Sequence, residues 1–576
     1  MLEELSWKVG GQQGEGIDST GETFATALNR QGYYIYGYRH FSSRIKGGHT
    51  NYKVRVSTKR RLASADFLDI LIAFDQESID FNAKELRSGA VVIADEKFHP
   101  TLPEGVKAEL YVVPFTKLAE TAGSSIMKNM VALGTSVYLL DLPVDIFSGV
   151  IHDTFARKGQ KIVDQNMEAI RQGYQFMKEQ LKDGTHMKLQ PPAGKGSHLF
   201  MMGNDAVALG ALTGGCRVMA AYPITPASDI MEYLIKKMPK VGGVVVQTED
   251  EIAAINMIIG AAYGGARAMT ATSGPGLSLM MEAIGLAGMT ETPVVIVDTQ
   301  RGGPSTGLPT KHEQSDLYAV LFGNHGEIPK IVLAPSTAEE CFYEAARAFN
   351  LAERYQCPVI LITDLALSLA KQTVEPLHPE TIEIDRGKLI TEVDPSMQSG
   401  SLFKRYAFTP DGISPRVIPG VKGGIHHVTG VEHNEIGRPD EGSANRAKMM
   451  EKRLRKLENV ELDGSLTFSG DEHYDTLVIG IGSTRGPIEE AAERLTADGY
   501  RIGHVHVKVL APFPTQALSS YTERAKKVIV VENNATGELA HLMRFFGVTT
   551  PTVSVKKFDG NPFLPGELYR QLKEWM

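Results

Sequence analysis

Val218-Met-Ala-Ala-Tyr-Pro-Ile-Thr-Pro-Ala-Ser228 decides how the rest of the chain is read. An apolar run of strand length is followed at once by a threonine held between two prolines. Pro223 and Pro226 each fix a backbone angle and restrict the residue before them. A helical pattern, Ser228-Asp-Ile-Met-Glu-Tyr-Leu-Ile, begins directly after. The segment reads as strand, stiff turn, helix, with Thr225 displayed at the helix entrance. Taken alone, its simplest reading is a helix start, with Thr225 as N-cap and Pro226 at the first helical position. The sequence around it changes that balance.

Outward from this stretch, strand-like runs alternate with helical patterns. Val244-Val-Val-Gln247, Ala266-Arg-Ala-Met-Thr-Ala-Thr272, Val294-Val-Ile-Val-Asp298, Ile331-Val-Leu333 and Val359-Ile-Leu-Ile-Thr363 continue one block, over about 198 to 385. Such alternation predicts α/β layers with mainly parallel sheets. An earlier block, about 1 to 185, has strands at Leu5–Val9, Leu68–Phe74 and Val91–Ala94, and a helix over Ile17–Arg30. A later one, about 465 to 576, has strands at Thr476–Ile481, Ile502–Val507 and Val528–Glu532. The expected fold is therefore a multidomain α/β chain of mainly parallel sheets flanked by helices. The expected domains are 1–185, a linker at 186–198, 199–385, a connecting insertion at 386–464, and 465–576. The insertion is Gly-, Pro- and His-rich and lacks clear periodicity.

Length and composition fit this reading. A chain of 576 residues is too long for one core, and 42% apolar with 22% charged residues is ordinary for a globular enzyme. A net charge of −8 gives no nucleic-acid surface. The apolar runs are strand-length, so no membrane span is expected. The N-terminus is acidic with no apolar signal region, which points to the cytoplasm. Cys216, Cys341 and Cys357 form no CxxC, lie in apolar surroundings and are expected to be buried thiols. Three of them cannot supply the four ligands of an ordinary iron–sulfur cluster. The run Glu451-Lys-Arg-Leu-Arg-Lys-Leu-Glu458 reads as a solvated helix face. His426 and His427 have no metal-ligand spacing, and no metal site is expected in this chain.

In an open parallel sheet, function collects at the carboxyl ends of the strands. The middle block carries its least routine residues there: Tyr222-Pro-Ile-Thr-Pro226, Thr248-Glu-Asp-Glu251, Thr272-Ser-Gly-Pro-Gly276 and Thr299-Gln-Arg-Gly-Gly-Pro-Ser-Thr-Gly307. Four unusual loops on one edge are hard to explain by packing. Thr248-x-x-Glu251 fits a capping box, and the helix after it is apolar nearly all round, so it should be buried. Glu251 is then a cap, or a carboxyl able to donate a hydrogen bond in acid–base chemistry, or both. Arg301 sits among glycines that admit a ligand, with a fork suited to a carboxylate. In the first block, Gly10-Gly-Gln-Gln-Gly-Glu-Gly16 precedes a helix and suits anion binding by backbone N–H groups at Gly10, Gly11, Gly14 and Gly16. Arg44-Ile-Lys-Gly-Gly-His49 adds nearby positive charge. No GxxxxGK[ST] or HExxH occurs.

These pieces together resemble the 2-oxoacid:ferredoxin oxidoreductases, as an alpha chain with a fused N-terminal gamma domain, most like the 2-oxoglutarate branch (2-oxoglutarate synthase). The resemblance rests on the glycine loop at 10–16, Tyr222-Pro-Ile-Thr-Pro226, Glu251-Ile-Ala-Ala254, Thr272-Ser-Gly-Pro-Gly276 and Gln300-Arg-Gly-Gly-Pro-Ser-Thr-Gly-Leu-Pro-Thr310. Arg405-Tyr and Thr409-Pro-Asp-Gly-Ile-Ser-Pro-Arg416 support it. Gln13 departs from it, since many relatives have Gly there. The resemblance implies a pyrimidine-type thiamine-diphosphate domain followed by a transketolase C-terminal-like domain. It implies oxidative decarboxylation of a 2-oxoacid, with electrons passing to ferredoxin and the acyl group to coenzyme A. Glu251 would contact the aminopyrimidine ring of thiamine diphosphate and promote its imino form. Pro223, Ile224, Thr225 and Gly274 would also line the cofactor. Thr225 and Arg301 would meet the substrate carboxylate, and Thr310 a distal one. The family's GDG…NN diphosphate motif and cluster cysteines are absent here. A beta subunit would therefore bring Mg²⁺, the [4Fe-4S] cluster and the ferredoxin surface, in an alpha2-beta2 assembly. The glycine loop would be the coenzyme A site. Alternatives are the same chemistry on pyruvate or branched-chain 2-oxoacids, and a non-catalytic scaffold or nucleotide-binding regulatory chain.

Overall fold

The computed structural model describes residues 1–41, 48–181, 184, 187–194, 198–460 and 462–576. The chain forms two compact units: residues 1–201 with 369–377 and 564–567, and residues 202–368 with 378–563 and 568–576.

The first unit is built on an eight-stranded sheet. Its strands run in the order Ala108–Val113, Leu86–Asp95, Leu68–Ala73, Glu4–Gln12, His49–Ser57, Tyr34–His40, Lys371–Val374 and Leu199–Met202. The first four are parallel, but His49–Ser57 pairs antiparallel to Glu4–Gln12, and Tyr34–His40 antiparallel to it in turn. This half of the sheet is thus antiparallel, unlike the mainly parallel expectation. The strand Lys371–Val374, distant in sequence, completes it; Thr373 Oγ1 accepts from the amide of Ile35 at 2.8 Å and donates to Asn29 Oδ1 at 2.6 Å. The core is anchored by Trp7, fully buried, stacked on Phe24 and donating its indole N–H to Ser136. Full burial of such side chains contributes roughly 1.5–3 kcal/mol each.

The second unit holds the expected alternation. Its seven-stranded sheet runs Val509–Ala511, Ile331–Leu333, Pro358–Asp364, Val294–Gln300, Ala268–Thr272, Val218–Ala221 and Val244–Gln247. All neighbours are parallel except the first pair. Every residue of Val294–Gln300 is buried, as a central parallel strand covered on both faces requires. A five-stranded sheet follows, with Leu466–Gly470 antiparallel at one edge and Ile502–Val507, Thr476–Ile481, Lys527–Glu532 and Thr552–Lys556 parallel. The two sheets share one continuous apolar core, including Ile255, Leu277, Ile296, Ile479, Val505 and Leu539.

Residues 386–464 form a turn-rich layer with a helix at Ser443–Arg455. Two buried carboxylates fasten it to the sheet's helices. Glu353 receives Arg267 at 2.9 Å, Arg386 at 2.8 Å and Arg416 at 2.7 Å. Glu291, fully buried, receives Lys452 at 2.5 Å and Lys456 at 2.6 Å, while Arg405 donates to its backbone oxygen at 2.7 Å. The basic run at 451–458 is therefore not a solvated face. Lys452, Arg453 and Lys456 are all buried, because Glu291 and Glu432 supply partners that offset their desolvation. Burial pulls the Lys452 ammonium down to about 7, against the opposing pull of Glu291. Burial opposes charge on Glu291 too, but the three cations outweigh it and hold the carboxyl well below the usual range.

Replacing Glu291 by alanine leaves two buried ammonium groups unpaired. The expected outcome is a loss of about 3–5 kcal/mol, read as a fall in the urea midpoint; an unchanged midpoint contradicts the anchoring role.

Candidate active site

The strands Val218–Ala221, Val244–Gln247, Ala268–Thr272 and Val294–Gln300 are mutual neighbours and parallel, so their carboxyl ends share one edge. The four loops singled out from sequence therefore lie together.

The first loop turns tightly. Ile224 O accepts from the amides of Ala227 and Ser228, and Asn204 Nδ2, on the buried helix Gly203–Thr213, donates to Pro226 O at 2.7 Å. The Thr225–Pro226 bond is cis. The next helix starts at Ser228 with Ala227 at its cap position and no side-chain cap. Thr225 is thus not the N-cap. Pro223, Ile224 and Thr225 are half-buried on the strand edge.

The second loop leads into the helix Glu251–Tyr263. Its N-cap is Asp250, whose carboxylate accepts from the amide of Ala253 at 2.6 Å. Thr248 instead donates to Asp250 O at 2.8 Å, so the expected Thr248–Glu251 capping box does not form. Glu251 is relieved of the capping role. It is only 6% exposed, and its carboxyl lies against Gly276 of the third loop. A Cβ at Gly276 would fall 2.6 Å from Glu251 Oε1 and into Thr272 Oγ1. Glycine there is a requirement of space. The helix itself is not wholly buried: Ala254, Ile255, Ile258 and Ile259 face the core, while Ile252 and Met257 are 49% and 42% exposed.

The fourth loop carries Arg301, which is 7% exposed. Its Nη1 donates to Thr225 O at 2.6 Å and its Nη2 to Thr306 O at 3.3 Å, so one guanidinium joins two loops. Its Nε–H is buried without a partner. Burial lowers its pKa, and the Asp316 carboxylate pulls the other way. Thr310 sits half-buried on the return of the same loop, which closes through a Gly302–Leu308 bridge.

Beside Arg301 lies a cavity of about 740 Å³, lined among others by Gly274, Ser278, Thr306, Asp316, Asn534 and Glu538. Arg301 and Gly274 line it; Thr225 and Glu251 lie outside its lining, Thr225 bonded to Arg301 through its backbone oxygen and Glu251 packed against Gly276. Thr310 lies outside its lining.

Sequence reading missed the acids here. Burial raises Asp316 to about 6 against the pull of Arg301, and Glu538 to about 7. Asp298 is fully buried with neither carboxyl oxygen partnered; burial, then the charge of Asp316, pushes it well above the carboxylate range. An acid ending the apolar run Val294–Asp298 was the available signal. Gln314 holds the loops in place: its side chain donates to Asp364 Oδ2 and Ile481 O and accepts from the Asn533 amide, while its backbone oxygen accepts from Asn534. No sequence pattern marks Gln314.

In the first unit, Gly14 and Gly16 have left-handed backbones, at φ 99° and 79°, before the helix Ile17–Arg30. The Glu15 carboxylate occupies the loop, accepting from the Gln12 amide at 3.0 Å and pairing with Lys128 at 2.9 Å. Gly10 and Gly11 belong to the strand Glu4–Gln12. Arg44 to Gly47 lie outside the described residues. Cys216, Cys341 and Cys357 are free and buried, and burial raises all three thiols, Cys216 and Cys357 to about 12. Among the described residues, no group of three or more His, Cys, Asp or Glu is placed to hold a metal ion. Nor is any helix long and apolar enough to cross a membrane.

Three family descriptions match in chain order. Residues 6–176 match "pyruvate ferredoxin/flavodoxin oxidoreductase". Residues 209–452 match the thiamine-diphosphate-binding region of "pyruvate flavodoxin/ferredoxin oxidoreductase". Residues 475–548 match "pyruvate:ferredoxin oxidoreductase core domain II". The 2-oxoacid:ferredoxin oxidoreductase subunit alpha of Sulfolobus sp is 36% identical, over 99% of this chain and 96% of its own. The chain belongs to the 2-oxoacid:ferredoxin oxidoreductase family, as an alpha subunit. The 2-oxoglutarate oxidoreductase subunit KorA of Mycobacterium tuberculosis is 32% identical, over 99% of this chain and 91% of its own. A solved 2-oxoglutarate:ferredoxin oxidoreductase from Magnetococcus marinus, with 2-oxoglutarate, coenzyme A and succinyl-CoA bound, superposes on this alpha subunit with a TM-score of 0.92. It is 37% identical, with all of both chains covered.

The expected outcome of Gly276→Ala in this alpha subunit is a displaced Glu251 carboxyl and a fall in activity of about 100-fold, with a loss of about 1–3 kcal/mol in stability from overpacking. Wild-type turnover in the assembled enzyme contradicts the packing argument.

Proposed function

We propose that this chain is the alpha subunit of a 2-oxoglutarate:ferredoxin oxidoreductase, which forms succinyl-CoA and CO₂ and passes electrons to ferredoxin. The observation that carries the proposal is Arg301: a nearly buried guanidinium with an unpartnered Nε–H, joining the first and fourth loops beside a cavity. A substrate carboxylate matches that donor. The choice of 2-oxoglutarate is supported by the KorA relatives and by the ligands of the Magnetococcus enzyme.

Thiamine diphosphate fits these residues at its pyrimidine end, because Gly276 leaves the Glu251 carboxyl room at a buried helix mouth. When bound, it supplies the electron sink for removing CO₂ from a 2-oxoacid. Glu251 would present its carboxyl to the aminopyrimidine ring. Pro223, Ile224 and Gly274 shape the cofactor's bed. Thr225, its turn pinned by Asn204 and Arg301, offers its hydroxyl to the substrate carboxylate beside Arg301. Thr310 serves the distal carboxylate. In the first unit, the turn at Gly14 and Gly16, after the strand end that carries Gly10 and Gly11, is proposed to meet coenzyme A once the Glu15 carboxylate releases the Gln12 amide.

A beta subunit completes the site with Mg²⁺, the [4Fe-4S] cluster and the ferredoxin surface, in an alpha2-beta2 cytoplasmic enzyme. In support, the helices beginning at Glu251 and Gly274 leave Ile252, Met257 and Leu279 uncovered beside the site. Asn533 and Asn534 bond to neighbouring loops. The expected segments stand as proposed domains: 1–185 gamma, 199–385 pyrimidine-type, 386–464 insertion and 465–576 transketolase C-terminal-like.

One observation favours a second reading. Among the described residues lining the cavity, Arg301 is the one cation, beside Glu313, Asp316 and Glu538. That balance suits a single carboxylate, as in pyruvate.

The test is anaerobic reduction of a low-potential acceptor by the assembled enzyme across a panel of 2-oxoacids. Preference for 2-oxoglutarate is expected, and preference for pyruvate overturns the substrate choice. Glu251→Gln is expected to lower turnover roughly 100-fold or more with folding intact; near-normal turnover removes Glu251 from its role.

A further inference from the structure

The cavity beside Arg301 has two walls that come from different sheets. One carries Arg301, Ser315 and Asp316, at the edge of the seven-stranded sheet. The other carries Asn534, Thr536 and Phe558, in the loops after Lys527–Glu532 and Thr552–Lys556 of the five-stranded sheet. Gln314 stands between two lining residues, Glu313 and Ser315, yet it is 1% exposed and lies outside the lining. Its side chain reaches both sheets at once. Nε2 donates to Asp364 Oδ2 at 2.8 Å, at the strand end that pairs with Gln300, and to Ile481 O at 3.0 Å, at the end of Thr476–Ile481. Oε1 accepts from the Asn533 amide at 3.1 Å. The Gln314 amide donates to Asn533 O at 2.7 Å, and its carbonyl accepts from Asn534 Nδ2 at 3.0 Å. Every polar atom of Gln314 is therefore used, and the bonds to Asn533 and Asn534 seize the segment that opens the second wall.

We propose that Gln314 is a positioning residue that sets the spacing of the two walls, and through it the length of 2-oxoacid that the cavity selects. This rests on the reading that the 2-oxoacid occupies this cavity beside Arg301. The bonds require a carboxamide: two N–H groups for Asp364 and Ile481 O, and an oxygen for the Asn533 amide. Glutamate has the shape but sets an acceptor against two acceptors, and asparagine is one methylene short. The clasp has no room to slide, because a Cβ at Gly482 would fall 2.9 Å from Gln314 Nε2 and 2.5 Å from Asp364 Oδ2. Asn534 carries the constraint into the second wall. Its Nδ2 also donates to Glu532 Oε2 at 2.8 Å, and its Oδ1 accepts from the amides of Gly537 at 2.7 Å and Glu538 at 3.3 Å. A pocket tells substrates apart by length only while its walls hold their distance; one methylene of misfit is then worth roughly 10–200-fold.

The experiment compares kcat/KM of the assembled enzyme for pyruvate, 2-oxobutyrate and 2-oxoglutarate, in wild type and in Gln314→Met. Methionine keeps the volume and removes the side-chain hydrogen bonds without burying a charge. The ratio between the best and the poorest substrate is expected to fall about tenfold or more, chiefly through KM. A loss of activity that is uniform across the panel, at unchanged ratio, marks a merely structural residue and overturns the proposal. So does a wild type that does not discriminate among the three acids. Hydrogen exchange of the wild-type assembly needs no variant. The amides of Gln314 and Asn533 are expected to be as protected as those of the strand Val294–Gln300, and protection at that level supports the clasp. Exchange at the rate of an exposed loop overturns it, even where Gln314→Met fails to assemble. Arg301→Gln separates the two levels. An unchanged KM for every 2-oxoacid removes the cavity reading and the proposal with it. A raised KM there, with an unaltered ratio in Gln314→Met, removes only the role of Gln314.

Discussion

The hydrogen bonds from Arg301 to Thr225 O and Thr306 O hold the site together. They join a turn after one strand to a loop after another, across the intervening strand Ala268–Thr272. They are possible because parallel strands deliver their carboxyl ends to one edge. Glu251 and Gly276 complete the same edge by sharing one small space. The sheet brings these four loops to one edge. The remaining buried N–H of Arg301 is left without a hydrogen bond.

That arrangement needs a rigid backing, which several networks supply. Gln314 ties the loop after Arg301 to Asp364 and to Asn533. Asp364 also accepts from the amides of Ser483 and Leu367, and Glu532 accepts from Leu539 and Ala540. The layer at 386–464 covers the other ends of the helices through Glu291 and Glu353. Burying so much charge brings little net stability, but a partner removed from such a network is costly. The networks therefore specify one arrangement of the loops.

The sequence made much of this legible. The strands of the second unit, the four-loop edge and the helix at Ile17–Arg30 follow from apolar runs and their punctuation. What escaped was non-local. The strand Lys371–Val374 that extends the antiparallel half of the first sheet comes from far away in the chain. Lys452 and Lys456 look solvated until Glu291 is seen beneath them. Asp250 rather than Thr248 caps its helix, a choice between adjacent polar residues that spacing does not settle. Asp316 lies fifteen residues beyond Arg301, and only the fold brings it and Glu538 into the cavity lining that Arg301 shares. The residues proposed from loop position, Thr225, Glu251 and Arg301, lie on one edge, and Thr310 lies at its margin.

The central claim is that this chain holds half of a site, which a partner chain completes. The most direct measurement is calorimetric titration of thiamine diphosphate with Mg²⁺ into this chain alone and into the chain assembled with its beta partner. The account predicts saturable tight binding only in the assembly. Equally tight binding by the chain alone, accompanied by turnover of a 2-oxoacid, would contradict it.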